Sequence, residues 1–177
     1  TSTSGVSADG YGHGSHVAGI IAAPKDDVEM QGIAYNATLV PFRVFNNAGT
    51  SVMTDSIQAD MISRALAAGA YINNNSWAST GVQITSYTAA QLQAANPLFI
   101  AQLQNYVTNG GVVVFAAGND SLSNPSPQAG LPYRISGIQS GWLAVVATDS
   151  SGTIAAYSNK CGVAAAWCLA APGSSIY

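Results

Sequence analysis

Four short apolar runs, 39–44, 70–75, 111–116 and 143–147, are each bounded by polar or glycine-containing stretches, and helical patterns fit between them. Such runs read as buried parallel strands. Residues 16–23, 53–68 and 97–109 carry the helical spacing. The last two end at Gly69 and Gly110, the residue type that most readily takes a left-handed helix cap. Strand and helix alternate, so the spacing predicts an α/β domain with a doubly wound, mostly parallel sheet and helices on both faces. No repeat, heptad or linker divides the chain, and 177 residues with 48% hydrophobic content suffice for one core. The polar stretch 79–96 and the Pro-rich stretch 121–132 are expected as surface excursions after strand ends, where function in open α/β sheets is usually found.

Only 7% of residues are Asp, Glu, Lys or Arg, against about 25% in a typical soluble domain. Ser, Thr, Asn and Gln must therefore cover the surface, which suits an exported protein better than a cytosolic one. A net charge of −3 leaves no basic stripe to neutralise phosphates, so nucleic acid is not expected as a partner. The longest apolar runs, 112–117 and 164–171, fall well short of the roughly 20 residues that span a bilayer, so no membrane insertion is expected. Residues 1–10 lack the charged start and apolar stretch of a signal peptide, and any targeting segment is expected to have been removed or to lie elsewhere. Cys161 and Cys168 lie between flanks, 155–158 and 163–171, that could form a hairpin. A cross-strand disulfide fits there and would support export; two reduced thiols are the alternative.

The stretch richest in chemistry is Gly12-His13-Gly14-Ser15-His16-Val17-Ala18-Gly19-Ile20. It sets an imidazole at the start of an apolar helix, with glycines on both sides that let a substrate or partner side chain approach closely. Val17, Ile20 and Ile21 are expected to anchor the helix in the core. The result is a titratable base on a rigid element. Further on, the apolar run ending in Phe115-Ala116-Ala117-Gly118-Asn119-Asp120 delivers an asparagine to a turn.

These two stretches resemble the histidine and oxyanion motifs of the subtilisin-like serine protease family. The resemblance implies that His13 is the general base, that His16 is a buried structural histidine, and that the Asn119 amide donates to the oxyanion of the tetrahedral intermediate. Between the two, Ile72-Asn73-Asn74-Asn75-Ser76-Trp77-Ala78 is similar to the family's substrate strand. There Ser76, Trp77 and Ala78 would offer backbone to an extended peptide, while Ala116, Ala117 and Gly118 would form the facing wall of the primary pocket. Trp77 stands where the family often has Leu, and core packing is an equal reading of its side chain. Residues 142–149, 156–159 and 169–173 continue the pattern in the same order.

A serine protease of this kind also needs a nucleophile and an acid that fixes the histidine tautomer. The family places its aspartate well before the histidine motif and its Gly-Thr-Ser segment after Ala171-Pro172-Gly173, so the chain is expected to be truncated at both ends and inactive alone. Its exposed sheet edge is then expected to be open to pairing with another copy. Asp9 lies too close to His13 and matches a separate acidic position. Gly49-Thr50-Ser51-Val52-Met53 mimics the nucleophile segment but is expected to cap the helix beginning near Met53. No dinucleotide, phosphate-loop, α/β-hydrolase or metal-ligand spacing is found, and the acidic loop 24–29 reads as solvated, so neither cofactor nor metal is expected. The resemblance implies a serine endopeptidase acting on polypeptides, secreted or at the cell surface, with a surface-anchored bacterial protein as the narrower expectation. A non-catalytic peptide-binding module on the same fold is the alternative, and an unrelated α/β hydrolase is a third.

Overall fold

The computed structural model describes residues 9–28 and 30–176. Residues 1–8, read above as lacking a signal peptide, and Glu29 of the acidic loop lie outside the described residues. The chain divides into two compact units, residues 1–54 and 55–177.

The larger unit is α/β, as the alternation predicts. Its sheet has four strands in the order β1-β2-β3-β4, all parallel, with β1 Ile72–Asn75, β2 Val112–Ala116, β3 Trp142–Thr148 and β4 Cys168–Pro172. Val113, Phe115, Trp142, Ala144 and Val146 are buried on one face. Helices α2 Asp55–Ala67 and α4 Pro97–Thr108 pack on each other. The α4 stripe of Phe99, Ile100, Leu103 and Tyr106 is buried because these residues recur at helical spacing. Burying a side chain such as Leu103 contributes about 1.5–3 kcal/mol. Asp55, the first residue of α2, accepts the Leu98 and Phe99 N–H groups at 3.1 and 2.8 Å, so the start of one helix caps the start of the other. Both predicted glycine stops hold: Gly69 and Gly110 have φ of 72° and 85°. The Ala70 and Gly111 N–H groups return to the Ala65 and Tyr106 carbonyls at 3.0 Å each.

Four expectations need correction. Residues 39–44 form no strand: Pro41 interrupts the run without an N–H to give to a ladder, and the only pairing nearby among the described residues is an antiparallel bridge from Phe45 to Ser51. The stretch 79–96 is not plain loop but holds a turn of 3-10 helix at Ile84–Ser86 and helix α3 Ala89–Ala95. Thr88 and Gln91 form its capping box. The Pro-rich stretch is not a surface excursion, since Pro125, Ser126, Pro127 and Ala129 to Pro132 are buried. Prolines bring no N–H that needs a partner, the Ser126 N–H reaches the Ala117 carbonyl at 2.8 Å, and Trp142 Nε1 and Trp167 Nε1 both donate to the Ala129 carbonyl at 3.2 Å.

The cysteine flanks make no hairpin. Residues Gly162–Trp167 wind into 3-10 turns and the chain then enters β4, parallel to β3. A Cys161–Cys168 disulfide brackets those turns, with a Cα–Cα distance of 5.8 Å and a sequence separation of 7. Closing so short a loop is expected to contribute about 2.5 kcal/mol through the unfolded chain. Urea unfolding with and without reductant should show a lower midpoint when the bridge is opened; an unchanged midpoint would mean that it adds nothing.

Candidate active site

In the smaller unit, helix α1 His13–Ala22 begins after Gly12, whose φ of 83° suits a residue without Cβ. Gly12 has no side chain with which to cap the helix, and Asp9 takes that part. Its Oδ1 accepts from the Tyr11 and Gly12 N–H groups at 3.2 and 2.9 Å, and its Oδ2 from the Ser15 N–H at 3.0 Å and the Ser15 hydroxyl at 2.9 Å. The Gly12 N–H first, then the Ser15 N–H and hydroxyl, hold the Asp9 carboxyl down at about 2. Because the folded value is depressed, the cap's contribution is complete above the ordinary value of 3.8 and is lost as pH falls through about 2. Carbon-detected NMR should find Asp9 titrating near 2; an Asp9 midpoint near 4 would remove the cap from the account.

His13 is the first residue of α1 and is exposed. Its ring centroid lies 6.2 Å from that of Tyr11 and 6.4 Å, edge on, from that of Phe45. Gly49 makes this cluster possible, because a Cβ there would stand 2.6 Å from the Tyr11 ring. His16 does not take the expected buried place; it is exposed, and Val17, Ile20 and Ile21 are only half-buried, because α1 has no buried residue at all among those described. Ser51 is engaged locally. It bridges Phe45, its Oγ accepts the Met53 N–H at 3.3 Å, and α2 begins at Asp55, so the Gly49–Met53 string closes a hairpin turn instead of capping that helix.

In the larger unit, β1 and β2 run in register from Ile72 opposite Val112 to Asn75 opposite Phe115. Ser76, Trp77 and Ala78 therefore leave the C-terminal end of one strand beside Ala116, Ala117 and Gly118 at the end of the next. Trp77 packs edge-on against Phe115, with centroids 5.1 Å apart, and Phe115 stacks on Trp142. The Trp77 side chain is thus core packing, and what it can offer outward is backbone. Ala117 and Gly118 are buried, whereas Asn119 is exposed. Gly118 has φ 108°, and a Cβ on it would stand 2.4 Å from Asn159 Nδ2.

Asn159, which the sequence reading did not single out, is fully buried. Its Nδ2 donates to the Ala117 carbonyl at 3.0 Å, its Oδ1 accepts the Asp120 and Leu122 N–H groups at 3.1 and 2.9 Å, and its N–H reaches the Gly118 carbonyl at 2.8 Å. The neighbouring Tyr157 hydroxyl donates to the Gly173 carbonyl at 2.7 Å, and Ser158 Oγ accepts the Ala147 N–H at 3.0 Å. The legible signal for Asn159 was the family pattern at 156–159, which marks the segment but gives that residue no role.

Residues 3–177 match the subtilase family. The chain is a subtilase. Like it are subtilisin DY of Bacillus licheniformis, 29% identical over 96% of this chain and 54% of its own, and the extracellular protease of Xanthomonas campestris pv. campestris, 33% identical over 93% of this chain and 26% of its own. An extracellular serine protease of Serratia marcescens is 25% identical over 93% of this chain and 18% of its own. This subtilase therefore spans about half, or much less, of the curated relatives it matches. Among solved structures, the prenylagaramide maturation protease PagA superposes with a TM-score of 0.75 at 26% identity, over 93% of this chain and 52% of its own. The self-cleaved protease domain of PatA gives 0.71 at 25% identity, over 96% and 57%. No helix among the described residues of the subtilase is long and apolar enough to cross a membrane.

Proposed function

We propose that this subtilase chain is the central part of one peptidase domain, in a serine endopeptidase that cuts polypeptides outside the cell or at its surface. What supports it most is Asn119, an exposed side-chain amide beyond the end of a buried parallel strand, on a turn in which the Ala117 and Gly118 carbonyls before it and the Asp120 and Leu122 N–H groups after it are held. On this reading its Nδ2–H donates to the oxygen that becomes negative when the scissile carbonyl is attacked. His13 takes the proton of the attacking serine and hands it to the leaving amine. The backbone of Ser76, Trp77 and Ala78 pairs with the extended substrate, and Ala116, Ala117 and Gly118 wall the pocket opposite. The nucleophile and the acid come from segments outside these residues: Ser51 is committed to a hairpin turn and Asp9 to a helix cap. The Cys161–Cys168 bridge and the extracellular relatives support the location.

A fluorophosphonate probe tests the reading on the full-length protein. Mass spectrometry should find one serine labelled, outside residues 1–177, and the label should be lost in His13→Ala. A folded full-length protein that takes no label would overturn the reading and leave a peptide-binding module on the same fold.

A further inference from the structure

An oxyanion donor works only if its amide is already aimed when charge develops, because reorganising it during the reaction would consume the stabilisation it gives. Asn119 sits on a turn that no helix or ladder continues through, so something else must fix the backbone on either side of it. Before Asn119, the Ala117 carbonyl takes the Asn159 Nδ2–H and the Gly118 carbonyl takes the Asn159 N–H; after it, the Asp120 and Leu122 N–H groups both end on Asn159 Oδ1. One residue, distant in sequence, thus closes the turn from both sides and leaves the Asn119 side chain exposed.

We infer that Asn159 is the positioning residue of this turn, setting the direction of the Asn119 amide without touching substrate; the inference rests on the reading of Asn119 as oxyanion donor. The chemistry of the site selects this side chain. Two N–H groups on one side and a carbonyl on the other require one oxygen that accepts twice and one nitrogen that donates, in a single uncharged group. An aspartate would set a buried negative charge against the Ala117 carbonyl, and serine or alanine would leave buried N–H groups without a partner. Gly118 belongs to the same device. The Asn159 amide nitrogen lies 2.4 Å from where its Cβ would be, and its φ of 108° is one that other residues resist. Ser121 and Lys160 add rungs around it, the Ser121 N–H to the Tyr157 carbonyl and the Lys160 N–H to the Leu122 carbonyl, each at 2.9 Å. Removing Asn159 should therefore loosen the aim of the turn instead of unfolding the sheet.

The test is a double-mutant cycle in the full-length enzyme on one fluorogenic peptide amide, with the active fraction counted by fluorophosphonate titration. Asn159→Ala is expected to lower kcat by about 10²-fold, the scale of a 1 Å misplacement, with KM nearly unchanged. In the Asn119→Ala background the same change should alter kcat by less than about twofold, because the group it aims is gone. Asn159→Asp keeps the volume and the acceptor but turns the donor into a buried negative charge facing the Ala117 carbonyl, and it should show the same dependence on Asn119 with a loss at least as large. Equal losses in both backgrounds, or a kcat untouched by either Asn159 variant, would overturn the positioning role while leaving Asn119 in place. If Asn119→Ala itself leaves kcat unchanged, the reading of Asn119 fails and the positioning role falls with it.

Discussion

Full-length His13→Ala is expected to turn over peptide about 10⁶-fold more slowly, a loss of the size known for the histidine of subtilisin, itself a member of the family. The effect is large because the base and the nucleophile act as a unit: without an imidazole to take its proton, a serine hydroxyl is a poor nucleophile at neutral pH. Substrate binding should survive, since none of the strand-end backbone proposed to hold peptide belongs to α1. KM and inhibitor affinity are the controls, and His13→Ala should keep both within a few-fold. A variant that still hydrolyses peptide within tenfold of the parent would remove His13 from the mechanism. Helix α1 need not suffer either: His13 is exposed, and the groups that cap the helix belong to Asp9.

Asn119→Ala should cost about 10²–10³-fold in kcat, or about 2.7–4 kcal/mol, again the magnitude known from subtilisin and not one obtained from this chain. Its signature is the split between parameters. An interaction made only as the carbonyl oxygen gains charge lowers kcat and kcat/KM together and leaves KM alone. Fold should be indifferent to the change, because Asn119 is exposed and the turn is closed by Asn159. A rise in KM at constant kcat would instead make Asn119 a contact for ground-state substrate, which is what a peptide-binding module would use. Asn119→Asp separates the two further: a carboxylate facing a developing oxyanion should be worse than alanine.

Three of the four predicted runs became strands, 70–75 among them as β1. Residues 111–116 and 143–147 are apolar on both sides of the pleat, and they became β2 and β3, buried on one face and half-buried on the other. The same rule misread 39–44, where Pro41 interrupts the ladder, and passed over Cys168–Pro172, whose alanines and terminal proline have weak strand preference but suit the end position that β4 takes in the strand order. Helix α3 is signalled by Thr88 and Gln91, a capping box that the polar composition of 79–96 masks. At the site, the motif around His13 marked the start of a helix, but the burial assigned to His16 came from the family and not from its neighbours. Asn159 could not have been found from spacing. Its partners lie some forty residues away, and only the folded chain puts an amide where two N–H groups and a carbonyl converge.

Two buried acceptors in the larger unit differ in how they would withstand mutation. The Ala129 carbonyl receives an indole N–H from each of two tryptophans, Trp142 and Trp167. Losing either leaves it satisfied by the other, so the buried Pro-rich segment has a reserve. Asn159 Oδ1 instead serves two backbone N–H groups at once, so a substitution that removes this oxygen takes an acceptor from both. The reserve at Ala129 is one of hydrogen bonding alone, because Trp142 and Trp167 are buried and truncating such a side chain still costs about 3–5 kcal/mol in packing; at residue 159 the loss falls on the aim of a turn and not on the core, so it should be read in kcat before it is read in stability.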